Sequence, residues 1–256
     1  MAGNGRGLRI ALVGMGFGAE FAPIYRDHPD VASVALCESN TAKLDSACSR
    51  FGIEERFTSL EAVLKADHID AVHLVTPIPL HADQTVAVLR AGKHCACTVP
   101  MATSLDDIGA IIAAKRGSGK NYIMMETQIY AREFLFACEL RDKGTFGHLQ
   151  LLRGAHYQDM ENWPAYWAGL PPMWYATHAV APCLAFAQTR AASVRCLGSG
   201  TMRDELKVPY GNPYPLETAL FQLDRAVRQL AALSPTYSGA DPLKDYINGR
   251  RRDDIH

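Results

Sequence analysis

The chain has 256 residues, of which 48% are hydrophobic and 21% charged, and its formal net charge is −1. This composition is globular and excludes an intrinsically disordered chain. The small net charge excludes a strong attraction to nucleic acid or to an anionic membrane. At about 150 residues per domain, the length is generous for one domain and tight for two.

We predict neither a membrane span nor a secretion signal. No apolar run approaches the roughly 18 residues that cross a bilayer. The apolar stretch 10–19 follows two arginines, but it contains three glycines and precedes no small-residue cleavage site. The seven cysteines are scattered without C-x-x-C spacing, and the nine histidines lack H-x-x-x-H spacing. We therefore expect buried reduced thiols, no metal site and a cytoplasmic protein.

Strand and helix patterns alternate from residue 8 to about residue 126. Apolar runs of strand length occur at 8–13, 31–37, 71–75, 94–98 and 122–125. Helical patterns occur at 19–26, 41–50, 58–65, 80–90 and 104–116, with Thr58 and Glu61 as a predicted capping box. Continuous apolar strands separated by helices are typical of a parallel sheet covered on both faces. We therefore predict a doubly wound α/β domain over residues 1–126.

The first predicted strand ends in a glycine-rich turn with the pattern G-x-G-x-x-A. Gly14 permits the tight turn, and Gly16 lets the backbone approach a pyrophosphate. Ala19 is small enough for the next helix to pack on the strand, and Phe17 and Gly18 belong to the same loop. Free N–H groups at the start of that helix would face the phosphates. The turn predicts a dinucleotide-binding site.

An acidic residue, Glu38, ends the second predicted strand. A carboxylate there accepts hydrogen bonds from a ribose diol and repels a 2′-phosphate. The next residue is Ser39 rather than an arginine, and we include it in the predicted cofactor site. The strand before the glycine turn, the helix after it and this carboxylate together predict dinucleotide binding. They favour NAD over NADP.

Two later segments resemble motifs of the Gfo/Idh/MocA oxidoreductase family, which includes glucose–fructose oxidoreductase and inositol dehydrogenase. The segment 75–81, V-T-P-I-P-L-H, is similar to the family's T-P-x-x-x-H motif. The segment 91–102 is similar to its G-K-H-V-x-x-E-K-P-x-A motif. The resemblance covers residues 8–126 and implies a Rossmann fold. It also implies that a set of residues lines the cofactor near its nicotinamide: Thr76, Pro77, His81, Thr98 and Pro100.

The second motif departs from the family pattern. Thr98, Val99 and Pro100 stand where the family has E-K-P, and the resemblance places that lysine near the site of hydride transfer. Valine cannot transfer a proton, so either another residue does so or the reaction differs from an ordinary alcohol dehydrogenation. Lys93, upstream in the same motif, is expected to be solvated.

Residues 127–256 lose the regular alternation and gather aromatic and histidine residues. We predict a helix at 131–141, a strand at 149–157 and a substrate domain of α+β class with an open mixed or antiparallel sheet. Aromatic faces beside short polar groups suit a sugar or cyclitol, although an aromatic minicore explains them equally well. The candidate substrate-binding residues are Tyr130, Arg132, His156, Asp159, Trp163 and Trp167.

Tyr175 and His178 are the candidate catalytic residues. They lie three residues apart at the start of a predicted helix that runs to residue 188, and so share one face. The imidazole would accept a hydroxyl proton as hydride leaves the same carbon, and the phenol would orient or relay it. His178 matches the histidine of the family's catalytic D-x-x-x-H helix, whereas Trp174 replaces its aspartate.

These features support three hypotheses. The first is an NAD-dependent oxidoreductase that acts on a secondary alcohol of a sugar, a sugar derivative or a cyclitol. The second follows from the string Tyr-Ala-Thr-His and the Val-Pro pair, which are similar to the family's NAD-dependent glycosidase branch. That branch works by transient oxidation, elimination and re-reduction. The third is a cofactor-binding protein with little catalysis.

The last part of the chain departs from the resemblance. The stretch 218–223 looks like a strand that the family follows with further strands of a large sheet, but no run in 226–256 resembles them. A short helix at 230–233 and a solvated charged tail are expected instead. We therefore expect an incomplete second domain whose sheet edge needs cover, and a homo-oligomer formed through this sheet.

Overall fold

The computed structural model describes residues 7–160 and 162–224. The chain folds into two compact units, and the boundary between them falls between Met125 and Glu126. Within the described residues, no helix combines the length and the apolar character that crossing a membrane requires.

The N-terminal unit is a six-stranded parallel sheet flanked by helices. Its strands are β1 (Leu8–Val13), β2 (Val31–Cys37), β3 (Arg56–Phe57), β4 (Ala71–Leu74), β5 (His94–Thr98) and β6 (Tyr122–Met125). Its helices are α1 (Ala22–Arg26), α2 (Thr41–Phe51), α3 (Leu60–Lys65), α4 (His81–Arg90) and α5 (Leu105–Ser118). The strand order is β3-β2-β1-β4-β5-β6, so the chain changes direction across the sheet between β1 and β4. Ligands of open α/β sheets bind at the carboxyl ends of the strands at such a switch point.

Residues that alternate along the strands build a separate core on each face of this sheet. On one face Val13 packs with Leu74 and Val88, and on the other Leu12 packs with Leu44. All five side chains are buried. The prediction of a doubly wound α/β domain is confirmed, because both faces of a parallel sheet are covered.

The helix starts differ most from the sequence prediction at two places, and α4 also begins one residue later than predicted, at His81. The first helix begins only at Ala22, because residues Phe17–Phe21 form a 3₁₀ turn. The third helix begins at Leu60, and its cap is the Ser59 hydroxyl, which accepts the Ala62 amide at 3.2 Å. The predicted capping box at Thr58 is therefore wrong by one residue, since both hydroxyl residues precede the same apolar run.

Lys93 is buried rather than solvated. Its ammonium donates to the carbonyl oxygens of Ala66 and Ile69 at 2.7 and 2.9 Å. These carbonyls lie just after α3, where the chain turns into β4, and the Ile69 amide also donates to the Ala66 carbonyl at 3.1 Å. Lys93 therefore caps the end of α3, and its burial lowers the pKa of the ammonium below its ordinary value.

The C-terminal unit contains a two-stranded antiparallel sheet of β7 (Ala191–Ser199) and β8 (Leu216–Leu223). Its helices are α6 (Arg132–Asp142), α7 (Thr177–Ala187) and α8 (Asp204–Lys207), with 3₁₀ turns at Gln128–Tyr130, Ala165–Trp167 and Pro172–Tyr175. The predicted strand at 149–157 is wrong, because this segment has no regular structure. Within the described residues β7 and β8 pair only with each other, so the segment 149–157 does not join their sheet and each strand keeps one unpaired edge.

One face of the β7–β8 pair is exposed and partly apolar. Leu197 and Leu220 are 77% and 69% exposed, and Leu216 lies on the same face. On the opposite face the β8 side chains, which include Phe221, are half-buried, whereas those of β7, such as Val194, are exposed. The short helix expected at 230–233 and the charged tail lie outside the described residues.

Candidate functional site

The glycine turn after β1 requires glycine at its first position. Gly14 has φ +95°, and its amide donates to the Cys37 carbonyl at 2.8 Å. A Cβ at this position would lie 2.4 Å from the carbonyl oxygen of Val75. The turn therefore holds the carboxyl ends of β1, β2 and β4 close together, at the switch point of the sheet.

The outer side of the same loop is open. A Cβ on Gly16 would meet no atom within 4 Å, whereas one on Gly18 would lie 3.1 Å from the Val75 side chain. Phe17 is 67% exposed beside them. Gly16 thus leaves room for a ligand to approach the backbone, and Gly18 allows the following turn to pack on the sheet. This arrangement fits a dinucleotide pyrophosphate.

The Glu38 carboxylate connects the glycine turn to the turn after β2. One oxygen accepts the Met15 amide at 2.9 Å, and the other accepts the Asn40 amide at 3.0 Å and the Ser39 hydroxyl at 3.3 Å. Partial burial opposes ionisation, but these hydrogen bonds hold the pKa of Glu38 below its ordinary value. The group is therefore a fixed negative charge beside the loop.

The three polar side chains that the resemblance places near the nicotinamide all have hydrogen-bond partners within the protein. Thr76 Oγ1 donates to Gln84 Oε1 at 2.6 Å, and Thr98 Oγ1 donates to the Leu74 carbonyl at 3.3 Å. His81 is 1% exposed, and its two ring nitrogens contact the carbonyl oxygens of Thr76 and Pro100. The side chain of His81 is thus inside the protein, where it supports the site instead of facing a ligand.

Pro77 and Val99 complete these two loops. Pro77 immediately precedes the 3₁₀ turn Ile78–Leu80, and Val99 is 7% exposed. A buried aliphatic side chain provides no proton-transfer group where the family motif has lysine. Val99 therefore cannot act as a proton donor or acceptor.

In the C-terminal unit, three side chains form a hydrogen-bonded series. The Tyr175 hydroxyl lies 3.2 Å from His178 Nε2, and His178 Nδ1 lies 2.8 Å from Glu126 Oε1. The structure therefore brings the two candidate catalytic residues into contact. If Nδ1 donates to the carboxylate, Nε2 has a lone pair that accepts the phenol hydrogen.

Glu126 is the site residue that the sequence analysis missed. It is 4% exposed, and its Oε1 also accepts the Gln128 amide at 2.8 Å. Its Oε2 is buried and has no hydrogen-bond partner within the described residues. The available signal was its position directly after the last apolar run of the parallel sheet, where functional side chains of α/β proteins concentrate.

His156 lies beside this series. Its ring centroid is 5.1 Å from that of His178 and 5.7 Å from that of Tyr175. Burial first, and then the neighbouring His178, lower the pKa of His156 below its ordinary value. The imidazole is therefore neutral at neutral pH, and each of its nitrogens is suited to a hydrogen bond with a polar ligand.

Two tryptophans extend the same cluster. The ring of Trp167 packs edge-on against Tyr175 at 4.8 Å and against Trp163 at 5.1 Å. Trp163 is 39% exposed, so one indole of the cluster remains accessible. The structure thus joins these candidate substrate residues to Tyr175 through ring contacts.

The three remaining candidate residues have exposed side chains. Tyr130 is 64% exposed at the end of a 3₁₀ turn, and Arg132 is exposed at the start of α6. Asp159 is exposed in the irregular segment. The 3₁₀ turn packs against α7, the helix of His178. In the described parts of the chain, no group of three or more His, Cys, Asp or Glu residues is placed to hold a metal ion.

Comparison with known proteins confirms the resemblance drawn from the motifs. Residues 8–126 match the family model GFO_IDH_MocA, which is described as "Oxidoreductase family, NAD-binding Rossmann fold". A protein of Bacteroides thetaiotaomicron named "Glycosyl hydrolase family 109 protein 1" is 29% identical over 197 residues. The match covers 68% of this chain and 42% of that protein. The chain thus spans about two fifths of the length of the curated relatives it matches.

Solved structures share the fold. The myo-inositol 2-dehydrogenase of Lactobacillus plantarum superposes with a TM-score of 0.73 at 18% identity, over 86% of this chain and 68% of that one. A scyllo-inositol dehydrogenase of Lactobacillus casei, with bound NAD(H) and scyllo-inositol, gives a TM-score of 0.70 at 21% identity. That match covers 86% of this chain and 67% of the other. At such identities the likeness establishes the fold alone.

Proposed function

We propose that this chain, whose residues 8–126 match the Gfo/Idh/MocA oxidoreductase family model, exchanges hydride between NAD(H) and a secondary alcohol. The substrate is a sugar, a sugar derivative or a cyclitol. NAD, when bound, supplies the hydride acceptor. The observation that most directly supports the proposal is the hydrogen-bonded series Tyr175–His178–Glu126, because oxidation of an alcohol also requires a group that accepts the hydroxyl proton.

The glycine turn and Glu38 support NAD rather than NADP. Gly16 leaves space for the pyrophosphate, and the Glu38 carboxylate is held ionised by the amides of Met15 and Asn40. A carboxylate has about four acceptor positions, and three are in use, so one remains for a ribose hydroxyl. The same negative charge repels a 2′-phosphate.

Tyr175 is the residue that receives the substrate proton. Both nitrogens of His178 are engaged, one with Glu126 and one with the phenol, so the phenol oxygen is the end of the series that remains for the substrate. Burial, followed by the Glu126 charge, raises the pKa of Tyr175 to about 12, so the resting phenol is protonated. The phenol accepts the hydroxyl proton as it passes its own to His178, and Glu126 stabilises the resulting imidazolium.

The surroundings of Tyr175 fit a polyhydroxylated ring. The exposed face of Trp163 suits the apolar C–H face of a sugar or cyclitol. The free Glu126 Oε2 is an acceptor for a substrate hydroxyl, and the neutral His156 ring offers a donor or an acceptor. These groups bind hydroxyls without a metal ion.

The proposal is tested with purified protein, NAD⁺ and a panel of sugars, sugar acids and inositols, with NADH followed by its ultraviolet absorbance. Turnover is expected with at least one member and is lost in Tyr175→Phe. A protein that binds NAD⁺ but produces no NADH with any member contradicts the oxidoreductase proposal and favours a cofactor-binding role.

A second candidate, an NAD-dependent glycosidase, has its own support. Val99 replaces the lysine of the family motif, and curated relatives bear the name glycosyl hydrolase family 109. Transient oxidation of a sugar hydroxyl would acidify the neighbouring C–H, and a base would then remove that proton while the glycosidic oxygen departs as the protonated aglycone. Water would add to the resulting double bond, and return of the hydride would restore the sugar hydroxyl. The Tyr175–His178 pair serves both proton transfers, so the paired carboxylates of ordinary glycosidases are not needed.

The glycosidase and the dehydrogenase differ in the product that accumulates. The glycosidase releases the aglycone from a chromogenic glycoside, requires bound NAD and produces no net NADH. The dehydrogenase produces one NADH per substrate oxidised and leaves the glycoside intact. Aglycone release that persists after removal of the cofactor contradicts the glycosidase proposal.

We further propose that the chain forms a homo-oligomer through the β7–β8 sheet. Leu197, Leu216 and Leu220 lie together on its exposed face, and both strands have unpaired edges within the described residues. Exposed edges and apolar faces of this kind are usually covered in stable proteins. Sedimentation analysis is expected to give an oligomer that Leu197→Lys and Leu220→Lys weaken, and a clean monomer contradicts it.

A further inference from the structure

His81 uses both ring nitrogens on backbone carbonyl groups. Nδ1 lies 2.7 Å from the Pro100 carbonyl oxygen, and Nε2 lies 2.8 Å from that of Thr76. The residue is the first of α4 and is 1% exposed. No other partner competes for these nitrogens in the hydrogen bonds described for the ring.

A carbonyl oxygen only accepts hydrogen bonds, so each nitrogen must donate. The neutral imidazole has a single N–H, and its second nitrogen would point a lone pair at an oxygen lone pair. Only the doubly protonated ring satisfies both contacts at these distances. The resulting bonds are charge-assisted, which offsets the cost of placing the cation inside the protein.

These two carbonyls lie beyond the last residues at which β4 and β5 pair in the sheet. The last residues that these two strands pair with each other are Leu74 and Cys97. Thr76 and Pro100 follow them by two and three residues, and the two loops share no further ladder hydrogen bonds. His81 therefore bridges the chain after β4 to the chain after β5.

We propose that His81 is a positioning residue whose imidazolium clamps these two loops at the carboxyl edge of the sheet. The inference rests on the proposed function in one respect, namely that the loops face the nicotinamide half of NAD. His81 acts through Thr76 and Pro100 and does not touch the cofactor. The charged ring holds the two carbonyls more strongly than the neutral ring would, because it donates a hydrogen bond to each of them.

The protonation of His81 is measured on the wild-type protein by ¹⁵N NMR of the imidazole nitrogens, with His81→Gln identifying the signals. Both nitrogens are expected to show protonated shifts at neutral pH. A pair of signals typical of the neutral ring, with one nitrogen unprotonated, overturns the proposal. This readout does not depend on whether any variant folds.

The positioning role is measured by the Kd for NAD⁺ of His81→Gln and His81→Leu, because neither side chain can place two donors on the two carbonyls. A rise of about tenfold or more is expected, as for loss of a charge-assisted hydrogen bond. His94→Gln is the matched control, since it removes one hydrogen bond, from the Asn121 amide, at the amino end of β5. Its Kd is expected to equal that of the wild type.

Failure of the clamp proposal and failure of the proposed function give different results. Wild-type protein that binds NAD⁺, with His81 variants that are folded and bind it equally well, overturns the clamp and leaves the proposed function standing. Wild-type protein that binds no NAD⁺ overturns the proposed function, and the NMR result then decides alone whether the charged clamp exists.

Discussion

Glu126 Oε1 lies 2.8 Å from His178 Nδ1, across 52 residues of sequence. The carboxylate fixes which nitrogen of the ring carries hydrogen and leaves Nε2 to accept the Tyr175 phenol. A buried carboxylate, a histidine and a hydroxyl in this order have the arrangement of a catalytic triad, and this supports the proposed proton relay.

Substitution of Glu126 by glutamine tests this relay. The amide keeps the shape and can still accept from Nδ1, but it loses the charge that stabilises the imidazolium. We expect kcat to fall by about 10²-fold with little change in the Kd for NAD⁺. Glu133→Gln, an exposed position in the first turn of α6, is the control. Equal rates in both variants would remove Glu126 from the mechanism.

Removal of the Tyr175 hydroxyl tests which residue meets the substrate. Tyr175→Phe keeps the ring that packs on Trp167 but removes the phenol, so we expect kcat to fall by about 10²-fold or more. Tyr157→Phe, 75% exposed in the neighbouring segment, is the control and should retain full activity. If Tyr175→Phe stays active, His178 must contact the substrate directly.

Substitutions at two glycines of the same turn should impair different properties of the protein. Gly14→Ala forces a Cβ to within 2.4 Å of the Val75 carbonyl at φ +95°, so we expect a loss of about 2 kcal/mol or more in the free energy of unfolding. Gly16→Ala meets no protein atom, so the fold should survive within about 1 kcal/mol while NAD affinity is lost.

The control for both glycine variants is Gly109→Ala, whose Cβ also has free space but lies in helix α5. It should bind NAD⁺ normally and gain up to about 1 kcal/mol of stability. Chemical unfolding and calorimetric titration give the two readouts. Normal NAD⁺ binding by Gly16→Ala would show that the cofactor does not approach this loop.

His73 gives the stability of the protein a defined pH dependence. It is fully buried in β4, its Nδ1 bonds the Tyr25 hydroxyl at 2.9 Å, and burial lowers its pKa to about 4 from 6.5. Between these values the unfolded chain binds the proton and the folded chain does not. The free energy of unfolding therefore falls as the pH decreases from 6.5 to 4, by about 3 kcal/mol in total.

The measurement is denaturant unfolding across that pH range for the wild type, His73→Leu and the exposed control His28→Leu. His73→Leu should lose most of the slope, whereas His28→Leu should keep it. An unchanged slope in His73→Leu would assign the pH dependence to other groups.

The sequence predicted the N-terminal unit better than the site. The apolar runs predicted for β1, β2, β5 and β6 have the bounds of the strands in the structure, because a short apolar run between polar or glycine residues is a local pattern. The sequence also predicted correctly that Gly14 permits the tight turn, because a positive φ in such a turn favours glycine. The i, i+3 spacing also predicted that Tyr175 and His178 share a face, and the hydrogen bond between them agrees with it.

Contacts between residues that are far apart in the sequence could not be predicted from such local patterns. The pairing of Glu126 with His178 depends on the tertiary fold of the C-terminal unit. The burial of Lys93 depends on the path of the chain after α3, which no local periodicity encodes. The segment 149–157 has the composition of a strand, but it pairs with no strand in the described residues, and its composition alone does not reveal this.

The central claim is that this chain performs NAD-dependent chemistry on a sugar or cyclitol. The most direct measurement is turnover by cofactor-stripped protein, with and without added NAD⁺, on a panel of polyols and chromogenic glycosides. The account predicts that NADH formation or aglycone release appears only when NAD⁺ is restored. Turnover that is independent of NAD⁺, or no turnover by protein saturated with it, would contradict the account.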